Sequence, residues 1–455
     1  MNMHGLILAA GQASRMGRCK ALLPLALGPG GRDCTALEGL ARLFRESGIS
    51  RITVVTGFHA ECVEAAARDL GLAVVRNPRP EDGMFSSVCA GLEAICGDNS
   101  ASGTSETSGV QGGPDAVLVQ PVDVPLVRPM TLQALSEARA ADQECVLVPA
   151  FAGEEGHPPL LPGRYLHQVL RHAHAGGKGG LRGALEDLPV RQVAVADSLV
   201  LPDMDRPEDY ESLRILAPHR EALWPCEAAE LLRLHNVPEK GVRHGRAVGV
   251  VAAALAKALA QARRACQTPG VPHNEQRPLS PGLALAGGLL HDICKGEKGH
   301  ESAAGRLLRH LRLPVMARLV EDHRDLSLPD DEAITERELV FLADKYCYGA
   351  SFVPVRRRFE QKLEIFASDP VAVTAIRGRL ARALALEERL AGELACGAAC
   401  ERAHERASGR ASEWASGQAH ERTHCENLSA DVARTALERL AAEKAAGPEQ
   451  KAATA

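Results

Sequence analysis

The first two hundred residues alternate short apolar runs with amphipathic stretches. The runs at 5–10, 52–56, 73–76, 116–120 and 145–149 have the length and branched-residue content of buried strands. Between them, 36–47, 60–70 and 85–95 place apolar residues at helical spacing. Strand–helix alternation of this kind predicts an α/β domain with a mostly parallel sheet. Residues 97–114, rich in Gly, Ser and Thr with almost no large apolar side chain, read as a floppy surface insertion. From about Pro218 helical periodicity takes over and strand signals vanish. Val248, Val251, Leu255 and Leu259 share one helix face, and Leu339, Leu342, Ala343 and Tyr346 share another. Residues 266–282, with four prolines, read as a loop between helices. Past residue 397 the chain is dominated by Ala, Glu, Arg, Ser and His, with the tetrapeptide Ala-His-Glu-Arg at 403–406 and again at 419–422. A helix at 430–444 is possible, but it has little to bury. The pattern therefore predicts an α/β domain over 1–215, an all-α domain over 216–390 and a low-complexity, weakly ordered tail over 391–455.

Composition narrows the class. Of the 455 residues 45% are hydrophobic, enough for sizeable cores, but only 3% are aromatic, so Ala, Leu and Val must fill them. A net charge of −5 gives no global attraction for nucleic acid, and aromatic platforms for single strands are scarce. The longest apolar runs, such as 283–290, are too short to span a bilayer. The first ten residues lack a basic stretch followed by a long apolar one, so no secretory signal is expected. The 13 cysteines form no framework and are expected to be reduced thiols of a cytoplasmic protein that engages neither nucleic acid nor membrane.

Candidate chemistry begins where the first strand ends. Leu8, Ala9, Ala10 and Gly11 are small or apolar, so the backbone that follows them admits a ligand closely, and its amides can bind phosphate oxygens. Arg15 and Lys20 add positive charge beside that loop. The spacing fits neither a P-loop nor a dinucleotide fingerprint. Asp123 follows an apolar strand at its carboxyl end, where ligands of open α/β sheets lie. The string Leu8-Ala-Ala-Gly11, Arg15-Met-Gly17 and Lys20 resembles the signature of MobA-like nucleotidyltransferases. Further matches follow in order: Asn77-Pro78, Gly83-Met-Phe-Ser86-Ser87, Asp123-Val-Pro125, Gly156-His-Pro158 and Asp203-Met-Asp205. Within that family the segments at 83–87 and 156–158 look most like the molybdenum cofactor cytidylyltransferase branch, with the guanylyl branch as competitor.

The resemblance covers roughly residues 3–215. It implies a Rossmann-like domain in which Leu8–Gly11, Arg15, Lys20, Asn77, Gly83, Ser86 and Ser87 bind the nucleotide. Lys20 and Arg15 would hold the triphosphate, and Asp123 with Asp203 or Asp205 would ligate Mg²⁺. The terminal phosphate of the pterin would be the nucleophile, so no covalent enzyme intermediate is needed. The implied partners are CTP, or GTP, molybdopterin cofactor and a target molybdoenzyme. The glycine run at 176–180 reads either as an anion-binding substrate loop or as a linker.

The helical half carries a second constellation. His244, the pair His291-Asp292 and Asp344 fall on separate predicted helices, with His300 and His323 between. The order resembles HD-domain phosphohydrolases over about 235–350. A carboxylate on an apolar helix, as at Asp344, is costly without a partner. The resemblance implies that His244, His291, Asp292 and Asp344 hold a divalent metal, Mn²⁺, Fe²⁺, Zn²⁺ or Mg²⁺, that activates water and polarises phosphoryl oxygen. His300 and His323 would either complete a second metal site or bind phosphate directly. Lys295 would either touch the substrate phosphate or be a surface lysine past a helix end. The basic stretch 355–362 reads as a solvated helix face, with polyphosphate binding as the alternative. Cys396, Cys400, His404, His420, His424 and Cys425 have metal-site ingredients, but their spacing matches no compact zinc pattern.

The expected function is accordingly bifunctional: CMP transfer from CTP to molybdopterin with pyrophosphate release, plus metal-dependent phosphate-ester hydrolysis. Guanylyl transfer, transfer to a sugar phosphate or other phosphorylated substrate, and a cofactor carrier or insertion chaperone with little turnover are the alternatives.

Overall fold

Alternation within β1 (Met3–Ala9) sets the layering of the first half of the chain. Ile7 and Ala9 enter one apolar core, Leu6 and Leu8 the other, as the two-residue period of a strand requires. Both faces are covered, which is why the strand reads as a continuous apolar run. The structure, a computed structural model, describes residues 2–97, 113–266, 278–326, 329, 332–407 and 428–445. The chain divides into two units, Met1–Glu221 and Ala222–Ala455.

In the first unit, β1 leads to a ribbon of β2 (Pro24–Leu25) and β3 (Cys34–Thr35). Then come α1 (Ala36–Glu46), β4 (Arg51–Thr56), α2 (Ala60–Asp69), β5 (Ala73–Arg76), α3 (Met84–Gly97), β6 (Ala116–Pro121) and α4 (Pro129–Ala141). The unit closes with β7 (Val146–Phe151), β8 (Glu154–Glu155), β9 (Leu160–Pro162), α5 (Leu166–His174), α6 (Gly180–Leu185), β10 (Val190–Ala194) and α7 (Pro207–Leu216). The sheet runs β10-β7-β9-β6-β1-β4-β5, with β8 beside β7. The β4–β5, β1–β4, β1–β6 and β7–β10 pairings are parallel, while β9 runs antiparallel to both β6 and β7. Residues of α1, α2, α4 and α7 cover one face, and those of α3, α5 and α6 the other. The mostly parallel α/β expectation holds. The pattern missed β10 because four of its five residues are exposed, so it carries no apolar signal. A buried ion pair ties the loop past β10 to the start of α4. Asp197 accepts from the Arg128 backbone at 2.9 Å, from its guanidinium at 2.7 Å and from the Thr131 hydroxyl at 2.7 Å.

The second unit contains α8 (Pro225–Leu234), α9 (Glu239–Ala265), α10 (Pro281–Leu290), α11 (His300–His310), α12 (Pro314–Val320) and α13 (Glu336–Tyr346). A short hairpin of β11 (Cys347–Tyr348) and β12 (Ser351–Phe352) follows, then α14 (Val355–Ile365), α15 (Pro370–Ala407) and α16 (Leu428–Ala445). The hairpin is the one departure from all-helical structure among the described residues. Helix α9 is central, with Val248, Val251, Leu255 and Leu259 wholly buried. Its 27 residues are long and apolar enough to cross a membrane, which the short apolar runs of the sequence did not suggest. Here it is the core helix around which the unit is built. Helix α10 crosses it closely at paired glycines: a Cβ on Gly288 would sit 2.4 Å from Gly249 Cα.

Among the described residues, parts of the expected weakly ordered tail are helical. Helix α15 runs unbroken through residue 390 to Ala407, burying Leu390 and Leu394. Helix α16 adds Ala430, Ala433, Leu437 and Leu440 to the core around α9. The physical reason is alanine: it lets helices approach closely, yet offers too little apolar area to register as a core stripe. Most of the 97–114 insertion, most of the proline-rich loop, the second Ala-His-Glu-Arg copy, His420, His424 and Cys425 lie outside the described residues.

Candidate functional sites

At the carboxyl ends of β1 and β6, Leu8, Ala9, Ala10, Gly11, Lys20, Gly83, Ser87 and Asp123 line one cavity of about 250 Å³. The strand ends buried at Leu8–Ala10 and the chain emerges exposed at Gly11. The loop turns back through Gly17, whose φ of 67° suits glycine, with its N–H donating to the Ala13 carbonyl at 2.8 Å. Lys20 Nζ lies between two carboxylates, 2.7 Å from Asp205 Oδ1 and 3.2 Å from Asp123 Oδ2. Burial lowers the Lys20 pKa, but the Asp205 hydrogen bond and the Asp123 charge outweigh it and raise the pKa overall. The same lysine lowers Asp205. Asp203 is raised by burial and by repulsion from Asp205 and Asp123. Arg15 is exposed and reaches Asp205 Oδ2 at 3.4 Å. Three carboxylates thus gather around the half-buried Lys20 ammonium and the exposed Arg15, an excess of negative charge that suits a further cation. They do not converge into a ready ligand set: the described residues whose ligand atoms lie within 4.8 Å of one another do not include this trio.

A neighbouring cavity of about 720 Å³ shares Leu8, Met84 and Pro121 with the first. Asn77 and Ser86 line it. Asn77 is buried, donating from Nδ2 to Ser86 Oγ at 2.8 Å and to Ser87 Oγ at 3.0 Å, so it braces the start of α3. Ser86 in turn donates to the Gly83 carbonyl at 2.8 Å. Three glycines of the 176–180 run line the same cavity, as does His157. Burial lowers the His157 pKa against the pull of Asp123, and its Nδ1 is buried without a hydrogen-bond partner. The sequence carried His157 within a motif, but its polar atom facing no partner is a tertiary fact.

In the second unit, four imidazoles surround one carboxylate. Asp292 Oδ2 faces Nε2 of His291 at 3.4 Å and of His244 at 3.8 Å. Asp292 Oδ1 faces Nε2 of His300 at 3.2 Å and of His323 at 3.5 Å. Asp344 Oδ1 lies 3.3 Å from His244 Nε2. Three of the rings are set by main-chain carbonyls. Nδ1 of His244, His291 and His323 faces the carbonyls of Gly349, Gly288 and Val320 at 2.8, 2.7 and 2.6 Å. A carbonyl only accepts, so each Nδ1 carries a proton, and in a neutral ring Nε2 then turns its lone pair inward. Lone pairs facing carboxylate oxygens repel unless a cation lies between them. His291 Nε2 is buried with no hydrogen-bond partner, and burial lowers the pKa of this histidine, which keeps it neutral. These residues fit a metal. His244, His291 and Asp344 form one potential ligand group, and His291, Asp292 and His323 another. Burial opposes ionisation of Asp292, but the Lys295 ammonium beside it favours the charged form, and the carboxyl is held below the usual range. For Asp344 the opposing cations are Lys345 and Arg358.

The basic stretch expected to be a solvated face is only partly so. Arg358 turns inward to Asp344 Oδ1 at 3.2 Å, and its Nη1 is buried without a partner. Buried Lys345 donates to Asp344 Oδ2 at 2.8 Å and to the His323 carbonyl at 2.7 Å. With Lys295, Arg324, Lys362 and Arg379 these two line a cavity of about 460 Å³ that opens on Asp292, His300, His323 and Asp344. Lys295 is largely exposed and hydrogen-bonds Asp292. Lys345 was missed as a site residue, and Arg358 and Lys362 fell in a stretch read first as a solvated face, because charge on a helix reads as solvation until the facing helix is known.

The first unit is thus a mostly parallel α/β fold with a cradle at its strand ends, and the second a helical fold with a His/Asp cluster that fits a metal. The chain carries a MobA-like NTP transferase domain over residues 5–193 and an HD domain over residues 241–349. It is similar to the molybdenum cofactor cytidylyltransferase of Escherichia coli (strain K12), 25% identical over 206 residues, which are 45% of this chain and 92% of that protein. Among solved structures, a nucleotidyl transferase from Methanothermobacter thermautotroptrophicus is 24% identical, with TM-score 0.38, covering 47% of this chain and 96% of that one. Molybdopterin-guanine dinucleotide biosynthesis protein A from Archaeoglobus fulgidus is 16% identical, with TM-score 0.34, covering 47% and 97%.

Proposed function

We propose that the first unit transfers CMP from CTP to molybdopterin in the cytoplasm, and that the second hydrolyses a phosphate ester. For transfer, the supporting observation is Lys20 held between Asp123 and Asp205 at the mouth of the nucleotide cradle. In this reading a terminal phosphate oxygen of molybdopterin attacks the α-phosphorus of CTP. The bond from that phosphorus to the β-phosphate bridge breaks, and pyrophosphate leaves. Lys20 and Arg15 bind the triphosphate oxygens, the amides past Gly11 orient it, and the Asn77 brace fixes the wall formed by α3. Asp123 with Asp203 or Asp205 would hold Mg²⁺, which when bound would neutralise phosphate charge. The larger neighbouring cavity is the proposed seat of the pterin.

For hydrolysis, the supporting observation is the Asp292 carboxylate enclosed by four imidazoles beside a wall of basic side chains. His244, His291, His300, His323, Asp292 and Asp344 would hold one or two divalent ions, whose chemistry is to acidify water and polarise a phosphoryl group. Arg358 and Lys362, which line the cavity, would bind phosphate oxygens, and Lys345 would position Asp344 and His323. Incubating the full chain with molybdopterin and either CTP or GTP tests the first activity. Pyrophosphate release with CTP, well above that with GTP and lost in Lys20→Ala, is expected. Equal turnover, or none with CTP, overturns the cytidylyl assignment. Phosphatase assays across several divalent metals test the second, with Asp292→Ala as the inactive control.

A further inference from the structure

Three thiols meet away from both sites. Cys266 caps the carboxyl end of α9, while Cys396 and Cys400 stand one turn apart on α15. Cys266 Sγ lies 3.4 Å from Cys396 Sγ, and the three sulfurs all lie within 4.8 Å of one another. Sulfurs sharing a tetrahedral Zn²⁺ at about 2.3 Å are roughly 3.8 Å apart, so the spacing suits a shared ion and is far too long for a disulfide bond. The frame beneath them is stiff. A Cβ on buried Gly397 would lie 2.3 Å from Ala262 Cβ, so the two helices touch backbone to backbone one turn before Cys266. Arg263 bonds Glu393 across the same contact at 2.9 Å. Cys266 and Cys396 are exposed, so a cation has a path to the sulfurs. Along α9 the cluster is roughly 30 Å from His244, which makes it separate from the HD centre.

We propose that Cys266, Cys396 and Cys400 bind a soft d¹⁰ cation, Zn²⁺ or Cu⁺, that staples α9 to α15. Thiolates are the ligands that select such ions. Three of them leave a fourth position for water or an external thiol on Zn²⁺, or complete a trigonal set on Cu⁺. Binding exchanges thiol protons for the metal.

The test uses the full chain, reduced and stripped with chelator, and titrated with Cd²⁺ while the ultraviolet sulfur-to-metal charge-transfer band is followed. The expected result is a saturable band whose final amplitude corresponds to one three-thiolate site per chain. It should weaken at least about tenfold in affinity in Cys266→Ser and in Cys396→Ser, and persist in Cys62→Ser and in the HD-site variant His291→Ala. Displacement of Cd²⁺ by Zn²⁺ or by Cu⁺ then identifies the preferred ion. A band retained in both serine variants overturns the proposal. So does finding, in protein purified without reductant, a Cys266–Cys396 disulfide by peptide mapping.

Discussion

Asp292 presents its two oxygens to opposite pairs of imidazoles, Oδ2 to His244 and His291, Oδ1 to His300 and His323. Removing it opens both halves of the cluster, so Asp292→Ala is expected to lower metal-dependent phosphatase activity by at least about 100-fold, measured with metal in excess. Lys362 gives a pH dependence. Desolvation in the cavity mouth, with the like charges of Arg358, Lys345 and Arg379 opposed by Asp344, brings its ammonium down to about 8 although much of the side chain is exposed. The protonated form binds phosphate, so KM should rise as pH increases through about 8. Lys362→Met should raise KM at pH 7 and flatten that rise. In the first unit, Asp197→Ala leaves Arg128 buried without its carboxylate. Loss of about 3–5 kcal/mol is expected, read by denaturant unfolding. The candidate metal-ligating His and Asp residues were legible in the sequence because their order resembles that of a known family. Lys345 and Arg358 were not, since only packing turns them toward Asp344.

The glycine pair where α10 crosses α9 sets how near His291 comes to His244, whose ring centroids are 5.1 Å apart. Gly288→Ala must push backbone against backbone, with an expected cost of about 1–3 kcal/mol. A metal affinity that falls along with the melting temperature would tie the crossing to the site; an unchanged affinity would separate them. The strands β1, β4, β5, β6 and β7 and the helices bearing ligands could be read from periodicity. Helices α15 and α16 could not be read as core, because their buried faces rest on alanines and scattered leucines. A chain ending at residue 390 loses Leu394, Leu437 and Leu440, each worth roughly 1.5–3 kcal/mol when buried, and the 2.8 Å bond between Tyr346 and Ser429. Such a truncation is expected to lower the melting temperature of the helical unit sharply or to prevent its folding.

At the scale of the whole chain, the two units answer different ligands. Without nucleotide, a saturating divalent ion such as Mn²⁺ should raise the calorimetric transition of the helical unit, by about 2.7 kcal/mol at one hundred times Kd. The transition of the α/β unit should stay in place, and a common shift of both would argue against separate folding units. Periodicity along the sequence was enough to give an α/β domain followed by a helical one, and the order of motifs, through their resemblance to two known families, identified the two kinds of domain. It also placed Lys20, Asp123, His244, His291, Asp292 and Asp344 among the candidates, since unusual polar residues beside apolar runs need a chemical reason. Tertiary structure alone decided which of them meet: Lys20 with Asp205 across 185 residues, Asp292 among four imidazoles, and Cys266 beside two thiols more than a hundred residues away. Such meetings depend on where helices cross and how closely small residues let them approach, and that geometry is a property of the packed chain rather than of any stretch of it.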